Sequence, residues 1–384
     1  MNIGLIRMRY TPYGGAEVFL SRFIDGLVKK GHVCHLFAAK WDDGKSEVRN
    51  QNPKLIFHQV KTFGPSFSRI LSFAINAYFA LRKANLDVIL SFDRTFYQDI
   101  YRAGDGCHKE WLIQRRKSGV RNITFLNPLH LTILYLEKRL FKSKKLKFVV
   151  ANSNRGKEEI IRHYELPEDK ICVIYNGIDI KAFDPDDRDK MRNVYREKLG
   201  MRDEIVLLFV GSGFERKGLE FLIEAAGILK RNGYNKLKLI VAGKGRIRKY
   251  KNAADRLGIG KDVIFIGPVK DVKGYYFAAD IFVLPSIYEP FSNACLEAMA
   301  SGLPVVISRI NGVSEILTDG KDGMIADDPA NPEELASKIK PLLDERARQA
   351  AGREARTTVE SYTIEKNVER FLMLVDEVRG GATG

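Results

Sequence analysis

Short apolar runs alternate with longer amphipathic stretches along the whole chain, and this pattern limits the possible folds more than any other feature. Runs that are apolar throughout are typical of parallel strands covered by helices on both faces. The amphipathic stretches between them predict helices, so each half of the chain should form a doubly wound α/β unit. Ten runs predict strands: NIGLI, HVCHLF, LIFHQV, DVILSF and FVVANS in the first half, and IVLLFVG, LKLIVAG, VIFIG, IFVLPS and PVVIS in the second.

The length of 384 residues exceeds what one ordinary core accommodates and favours two domains. The break is predicted where a strand ends at Asn176-Gly177, before a connection rich in Pro and Asp. We therefore expect Rossmann-like domains at 1–177 and 178–363, facing each other across a cleft. A tail helix at 364–380 carries an apolar stripe and could pack back on the first domain.

The charge of the chain indicates an anionic partner, because the formal net charge is +15. Much of the surplus lies between Lys109 and Lys147, here named the basic segment. It contains eleven lysines and arginines but only two glutamates. RNA, an anionic membrane and a phosphorylated acceptor would all attract such a segment.

The apolar residues within the basic segment favour a membrane surface. A mixture of cations with large apolar side chains is typical of a helix that lies in a membrane interface. An ordinary amphipathic helix that covers the first sheet is the alternative, and it accounts for the apolar face but not for the charge. The apolar residues are Trp111, Leu112, Ile113, Leu131, Ile133, Leu134, Tyr135 and Leu136.

Other bulk features predict a soluble protein in a reducing compartment. No run approaches the roughly 18 apolar residues of a membrane-spanning helix. The start MNIGLIRMRY predicts a strand and not a signal peptide, since its apolar run is short and no small-residue cleavage site follows. The cysteines Cys34, Cys107, Cys172 and Cys295 show no CxxC spacing, so reduced thiols in the cytoplasm are expected.

Two glycine-containing turns are candidates for phosphate binding. Gly14-Gly15 joins the first strand to a helix, where glycines permit close ligand approach, although a structural turn explains them equally well. GSGFERKG puts Arg216-Lys217 after a strand and at a helix start. Cations are disfavoured at a helix N-terminus unless an anion is bound, which argues against a merely exposed charged turn.

The stretch EPFSNACLE combines a helix start with two carboxylates. Ser292 or Asn293 can cap the helix, with Glu289 before it and Glu297 about one turn inside. Carboxylates beside a phosphate site would repel the ligand unless they accept hydrogen bonds from its hydroxyls, which sugars supply. Two solvated glutamates around a capped helix are the alternative.

Together these motifs resemble those of retaining glycosyltransferases with the two-domain GT-B architecture, in the family-4 group. EPFSNACLE resembles the E-x7-E signature, YGGAE the first glycine loop, GSGFERKG the diphosphate segment and YNGID the interdomain connection. Within the group, the chain is most similar to the core glucosyltransferases of lipopolysaccharide synthesis. The resemblance therefore implies a GT-B fold and a nucleotide-sugar donor.

The resemblance also implies a role for each motif residue. The cations bind the diphosphate, the carboxylates bind sugars, and backbone groups complete the site. The implied assignments are Arg216 and Lys217 to the diphosphate, Glu297 to the ribose, Glu289 to the transferred sugar, the backbone of Phe291, Ser292, Asn293 and Ala294 to the sugar or phosphate, Gly14 and Gly15 to the diphosphate from the other domain, and Val269 to the nucleobase.

The acceptor side rests on fewer residues. Asp105 stands where the core glucosyltransferases resemble one another in carrying an aspartate, and it could orient or deprotonate the attacking hydroxyl. His108 is the rival for this role, and a turn-forming aspartate is the structural alternative. Since no well-placed second nucleophile is evident, front-face attack is favoured over double displacement, with Arg216 and Lys217 stabilising the departing diphosphate.

No metal or other cofactor is expected, because the cations compensate the diphosphate charge. The acidic run at 184–187 superficially resembles a metal cluster, but its position favours helix capping.

These inferences predict a hexosyltransferase at the inner face of the cytoplasmic membrane. The favoured donor is UDP-glucose and the favoured acceptor a lipopolysaccharide inner-core heptose. Another lipid-linked or capsular glycan, with UDP-N-acetylglucosamine or GDP-mannose as donor, stays open. A nucleotide-sugar epimerase of the same architecture is a further alternative. A nucleic-acid-binding protein is disfavoured, because it would leave the paired glutamates unused and lacks an aromatic RNA-binding motif.

Overall fold

The contacts of the chain divide it into two compact units. Unit 1 comprises Met1–Asn176 together with the residues from Ile364 onward, and unit 2 comprises Gly177–Thr363. In the described part of the chain, no helix combines the length and the apolarity that crossing a membrane requires. The computed structural model describes residues 1–10, 15–41, 53–118, 127–184, 187–269 and 271–380.

Unit 1 is built on a parallel sheet of seven strands in the order β5-β3-β1-β6-β7-β8-β9. The strands are β1 (Asn2–Ile6), β3 (Val33–Ala38), β5 (Leu55–Gln59), β6 (Val88–Ser91), β7 (Ile100–Arg102), β8 (Phe148–Ala151) and β9 (Ile171–Val173). A separate parallel pair consists of β2 (Arg9–Tyr10) and β4 (Lys40–Trp41). The helices are α1 (Gly15–Lys29), α2 (Ser66–Lys83), α3 (His108–Lys117), α4 (Pro128–Phe141), α5 (Asn154–Tyr164) and, from the end of the chain, α13 (Ile364–Gly380).

Unit 2 is built on a parallel sheet of six strands in the order β12-β11-β10-β13-β14-β15. The strands are β10 (Ile205–Val210), β11 (Leu237–Ala242), β12 (Val263–Gly267), β13 (Ile281–Leu284), β14 (Val305–Ser308) and β15 (Gly323–Ala326). The helices are α6 (Arg188–Lys198), α7 (Leu219–Arg231), α8 (Ile247–Arg256), α9 (Lys273–Ala278), α10 (Asn293–Ala300), α11 (Pro332–Ile339) and α12 (Glu345–Val359).

All ten strands predicted from apolar runs are present, because each run lies in a parallel sheet where both strand faces can be buried. One boundary was wrong. The strand expected to end at Asn176-Gly177 ends at Val173. Asn176 is nevertheless buried, and its Oδ1 accepts a hydrogen bond of 2.7 Å from Nη2 of Arg102.

Helix α13 contributes its apolar stripe to the core of unit 1. Val368, Phe371, Leu372, Leu374 and Val375 are all buried in one cluster with residues of β1, β3, β6 and α1. The ring of Phe371 packs against two rings of α1, with its centroid 5.5 Å from those of both Phe19 and Phe23. The last helix of the chain therefore completes the core that the first helix begins.

Replacing Phe371 with Ala should destabilise unit 1 by about 3–5 kcal/mol, because the fully buried ring would leave a cavity. The free energy of unfolding can be measured by urea titration with tryptophan fluorescence. This signal reports on unit 1, since both tryptophans of the chain, Trp41 and Trp111, belong to it.

Met373 on the same helix provides the matched control, because its side chain is 68% exposed. Met373→Ala should change the free energy of unfolding by no more than about 0.5 kcal/mol. Equal effects of the two substitutions would contradict the place of α13 in this core.

Candidate active site

Two loops of unit 2 meet at the point where the strand order of its sheet reverses. Strand β10 has β11 on one side and β13 on the other, and ligands of such sheets bind beyond the carboxyl ends of these strands. The two loops touch closely: the backbone N–H of Ile287 donates to the carbonyl of Arg216 at 3.0 Å. Gly218 has a φ of +72°, and a Cβ there would lie 1.9 Å from the carbonyl oxygen of Pro285, so only glycine fits.

Arg216 and Lys217 converge on Glu289 at this edge. Nζ of Lys217 and Nη1 of Arg216 both contact Oε2 of Glu289, the latter at 3.1 Å. Nη1 of Arg216 also donates to the carbonyl of Tyr288 at 3.0 Å. Lys217 and Glu289 are buried, whereas the side chain of Arg216 is one-third exposed. The side chains that the sequence predicts to bind the diphosphate and the sugar thus form one ion cluster.

The cluster carries a net positive charge. Burial acts to raise the pKa of Glu289, but Lys217 and Arg216 outweigh burial and hold this pKa below its ordinary value. Glu289 is therefore ionised, and one carboxylate faces two cations. The surplus charge and the fixed orientation of the cations make the cluster suited to an anionic ligand.

Helix α10 begins next to the cluster. Of the two predicted caps, the structure selects Ser292, whose Oγ accepts a hydrogen bond of 3.3 Å from the N–H of Cys295. Asn293 and Ala294 form the first turn, and Phe291 is buried just before it. A helix N-terminus presents backbone N–H groups and a positive dipole end, both of which favour a phosphate.

Glu297 lies one turn further along α10 and has a different environment. Oη of Tyr276 lies 2.8 Å from Oε2 of Glu297 and 3.2 Å from the carbonyl oxygen of Ala294, so its single proton is shared between these two acceptors. Burial raises the pKa of Glu297 to about 7, and the tyrosine hydrogen bond opposes this rise only in part. The two glutamates thus differ: Glu289 is ionised by its cations, and Glu297 is partly protonated near neutral pH.

Three buried polar residues of this edge were missed from the sequence. Tyr276 holds Glu297, and Asn311 forms a backbone bridge to Glu289, whose carbonyl accepts from the N–H of Gly312 at 3.0 Å. Oγ of Ser286 is buried without a hydrogen-bonding partner among the described residues. Only Ser286 is next to a motif that the sequence analysis recognised. Tyr276 and Asn311 are distant from that motif in sequence, and no local pattern indicates their roles.

The remaining donor-site candidates belong to other elements. Val269 follows β12, which β11 separates from β10, and it is half-buried. Gly15 begins α1 in unit 1, whereas Gly14 lies outside the described residues.

Asp105 and His108 lie in unit 1 after strand β7. Asp105 is exposed in the turn that follows Arg102, and it interacts electrostatically with Arg102 and Arg94. Nε2 of His108 lies 2.9 Å from Nδ1 of His130. Burial, together with Arg94 and His130, lowers the pKa of His108 to about 4, so its imidazole is neutral at physiological pH.

The described residues contain no cluster of three or more His, Cys, Asp or Glu side chains that could hold a metal ion. Within the acidic run at 184–187, Asp187 occupies the N-cap position of α6 but makes no side-chain capping bond. Its carboxylate instead accepts from Nζ of Lys273 at 2.8 Å. The capping role expected from the sequence is therefore wrong for Asp187, because an ion pair uses its side chain.

Comparison with known proteins agrees with this architecture. Residues 191–358 match the family described as Glycosyl transferases group 1, and residues 13–182 match Glycosyltransferase Family 4. An uncharacterized glycosyltransferase of Methanocaldococcus jannaschii is 30% identical over 368 residues, which cover 90% of either chain. The lipopolysaccharide glucosyltransferase WaaG of Escherichia coli is 24% identical over 386 residues, the full length of both chains.

Solved structures are similar in fold. The crystal structure of WaaG has a TM-score of 0.83 at 23% identity and covers 98% of this chain and 100% of its own. Anabaena HepE in complex with UDP and glucose has a TM-score of 0.75 at 18% identity, with coverage of 98% and 99%. Together with the two parallel sheets, this likeness confirms the predicted class of two Rossmann-like domains.

Glu297→Gln should stabilise the protein more at about pH 8 than at about pH 5. The pKa of Glu297 is about 7 in the folded protein and 4.5 ordinarily. Between these values the folded state binds more protons than the unfolded state, so the stability of the parent protein falls as the pH rises. The glutamine of the variant cannot ionise. The free energy of unfolding of the variant, relative to that of the parent, should therefore increase by roughly 1–2 kcal/mol between about pH 5 and about pH 8.

Thermal unfolding of both proteins at the two pH values measures this difference. Glu333→Gln, at an exposed position of α11, is the matched control and should show no such growth. If the difference in stability between Glu297→Gln and the parent is the same at both pH values, the interpretation of Glu297 as a buried, partly protonated carboxyl is wrong.

Proposed function

The chain belongs to the glycosyltransferases, with a family 4 region followed by a group 1 region, and we propose that it moves a hexose with retention from a nucleotide sugar to a membrane-associated glycan. The favoured donor is UDP-glucose, and the favoured acceptor is a heptose of the lipopolysaccharide inner core. WaaG is a lipopolysaccharide glucosyltransferase, and HepE binds UDP and glucose. Both relatives support this choice of substrates by analogy.

The observation that carries the proposal is the ion cluster of Arg216, Lys217 and Glu289 beside the N-terminus of α10. A diphosphate would bind the two cations and the first backbone N–H groups of α10. The carboxylate of Glu289 would then accept a hydrogen bond from a hydroxyl of the transferred sugar, and Glu297 from the ribose.

The same cluster supports front-face attack. A carboxylate held by two cations, with a lowered pKa, is a weak nucleophile, which disfavours a covalent intermediate on Glu289. In the proposed step, the acceptor oxygen forms a bond to C1 of the sugar while the bond from C1 to the diphosphate oxygen breaks. The acceptor proton passes to the leaving diphosphate, whose charge Arg216 and Lys217 stabilise without a metal ion.

Asp105 is proposed to orient the acceptor hydroxyl. Its carboxylate is exposed in a turn, so an acceptor can reach it. His108 is a weaker candidate because its imidazole is paired with His130 and has a pKa of about 4. A base with so low a pKa takes up a proton poorly at neutral pH.

The basic segment is proposed to hold unit 1 on an anionic membrane surface. Helices α3 and α4, together with the end of α5, line an open cavity of about 850 Å³ that combines cations with apolar side chains. Leu131 and Tyr135 of α4 are about half exposed, and Phe67 and Phe79 of the neighbouring helix α2 are 39% and 57% exposed, so large apolar side chains of both helices are open to solvent. The cations that line the cavity are Lys109, Arg116, Lys117, Lys138 and Lys142.

Arg216→Ala should lower both hydrolysis of UDP-glucose and transfer to acceptor by about 10²–10³-fold, because it removes charge stabilisation of the leaving group. Glu289→Gln should lower both rates as well. Asp105→Asn should lower transfer alone, since donor breakdown by water does not require acceptor orientation. Turnover of several radiolabelled nucleotide sugars, with and without lipopolysaccharide acceptor, measures these rates.

Lys236→Ala is the control for loss of a cation. Its side chain is 72% exposed and paired with Asp203, and it precedes β11 at the opposite edge of the sheet. Unchanged turnover in Arg216→Ala and Glu289→Gln would refute the site. Conversion of the donor to another sugar nucleotide without acceptor would instead indicate an epimerase.

Reversing two charges of the basic segment should weaken membrane binding. The double variant Lys138→Glu, Lys142→Glu should lose at least about 2 kcal/mol of binding to phosphatidylglycerol vesicles, a factor of about thirty or more. Each lysine near such a surface contributes about 1 kcal/mol, and each introduced glutamate is repelled in addition. Vesicle flotation at fixed salt measures the bound fraction.

Lys236→Glu combined with Lys321→Glu changes the net charge equally at exposed positions of unit 2. This control should bind vesicles like the parent protein. Flotation that shows no preference of the parent for anionic over neutral lipid would exclude the membrane proposal.

A further inference from the structure

A second cationic cavity lies in unit 2, away from the proposed donor site. It has a volume of about 690 Å³ and opens between α6, α12 and the loop before β14. Asp280 and Pro304, which line it, immediately precede β13 and β14. The cavity is therefore at the amino ends of the parallel strands, whereas Arg216 and Glu289 follow the carboxyl ends.

Arginines dominate the lining of this cavity. Five arginines stand against two carboxylates, so the lining has a surplus of three positive charges. The carboxylate of Asp280 is already engaged: it accepts from Arg192 at 2.7 Å, from Arg196 at 2.6 Å and from the N–H of Val206 at 2.8 Å. The five arginines are Arg188, Arg192, Arg348, Arg353 and Arg356.

Neutral carbonyl groups hold several of these arginines in position. Nη1 of Arg348 donates to the carbonyls of Leu342 and Leu343 at 3.1 and 3.2 Å. Nη1 of Arg356 donates to the carbonyls of Phe183 and Ala300. Carboxylates lie nearby as well: Nε of Arg348 is 4.0 Å from Oδ1 of Asp280, and Nε of Arg356 is 3.5 Å from Oε1 of Glu360. The carbonyls fix the orientation of both guanidinium groups, so these groups are preorganised for an anion.

Structural roles do not account for the whole set. Arg192 binds three successive carbonyls at the end of α9, which explains its presence. Arg353, by contrast, is exposed, and its guanidinium has no hydrogen-bonding or ionic partner in the part of the chain that the structure describes. Within those same limits, Nη2 of Arg348 and Nη2 of Arg356 also have no hydrogen-bonding partner. Donors remain available for a ligand.

We propose that this arginine cavity is a binding site for a small anion with two or more phosphate groups, separate from the donor site. Guanidinium groups bind phosphate oxygens in pairs, and the volume lies within the range of about 300–1,000 Å³ that is usual for small-molecule sites. A ligand that joins α6 to α12 stabilises unit 2, because it binds only the folded state. This inference does not depend on the transferase activity.

Calorimetric titration with inorganic tripolyphosphate at constant ionic strength tests the proposal. Arg353→Ala should weaken binding by about tenfold, the loss expected for one charge-assisted hydrogen bond. Gln349→Glu, which adds a negative charge to an exposed part of the lining, should weaken binding as well. Arg353 and Gln349 are both exposed, so the variants should keep the thermal stability of the parent.

Two controls separate this cavity from other cations. Arg346→Ala removes an exposed arginine of α12 that does not line the cavity, and Arg216→Ala alters the donor site. Arg346→Ala should bind tripolyphosphate as the parent does. Arg216→Ala should lose only tripolyphosphate binding at the donor site and should keep the binding that Arg353→Ala weakens. A parallel titration with ATP shows whether a nucleoside adds to the affinity or the phosphates suffice. No binding by the parent, equal binding by Arg353→Ala, or a loss confined to Arg216→Ala would overturn the proposal.

Discussion

The buried contact between Lys217 and Glu289 joins the two loops on which the candidate active site is built. Taking either charge out of water is costly, and the pair is tolerable only because each partner neutralises the other and Arg216 adds a further bond. Removal of one partner would leave a buried, uncompensated charge. The contact therefore fixes how the loop after β10 lies on the loop after β13, and the N-terminus of α10 follows from that arrangement.

The sequence predicted the regular part of the fold because parallel sheets bury both faces of their strands. Uninterrupted apolar runs such as those of β10 and β11 are the direct result. Short strands cannot be predicted in this way. Strand β7 has three residues and ends in Arg102, and β15 contains a glycine, so neither forms a recognisable run. Their pairing is decided by neighbouring strands, which is tertiary information that a local pattern lacks.

The candidate site was predictable in its components but not in its connections. Glycines, cations and carboxylates at the ends of apolar runs identified Arg216, Lys217 and Glu289 individually. That Lys217 contacts Glu289 across 72 residues of sequence depends on the adjacency of β10 and β13. The role of Tyr276 could not be predicted either. A tyrosine in an apolar helix is typical of a hydrophobic core, and only the fold brings its hydroxyl to Glu297.

The two edges of the sheet in unit 2 show why its cations fall into two different sets. At the carboxyl edge, a helix begins, so its N–H groups and dipole repel cations unless a carboxylate or an anion is present. Glu289 supplies that negative charge for Arg216 and Lys217. At the amino edge, helices α9 and α10 end and present carbonyl groups, which Arg192 and Arg356 bind. Arginines at the amino edge are thus stable without full neutralisation by carboxylates, and their remaining positive charge is available to an anion. At the carboxyl edge, an anion would compete with Glu289 for the cations.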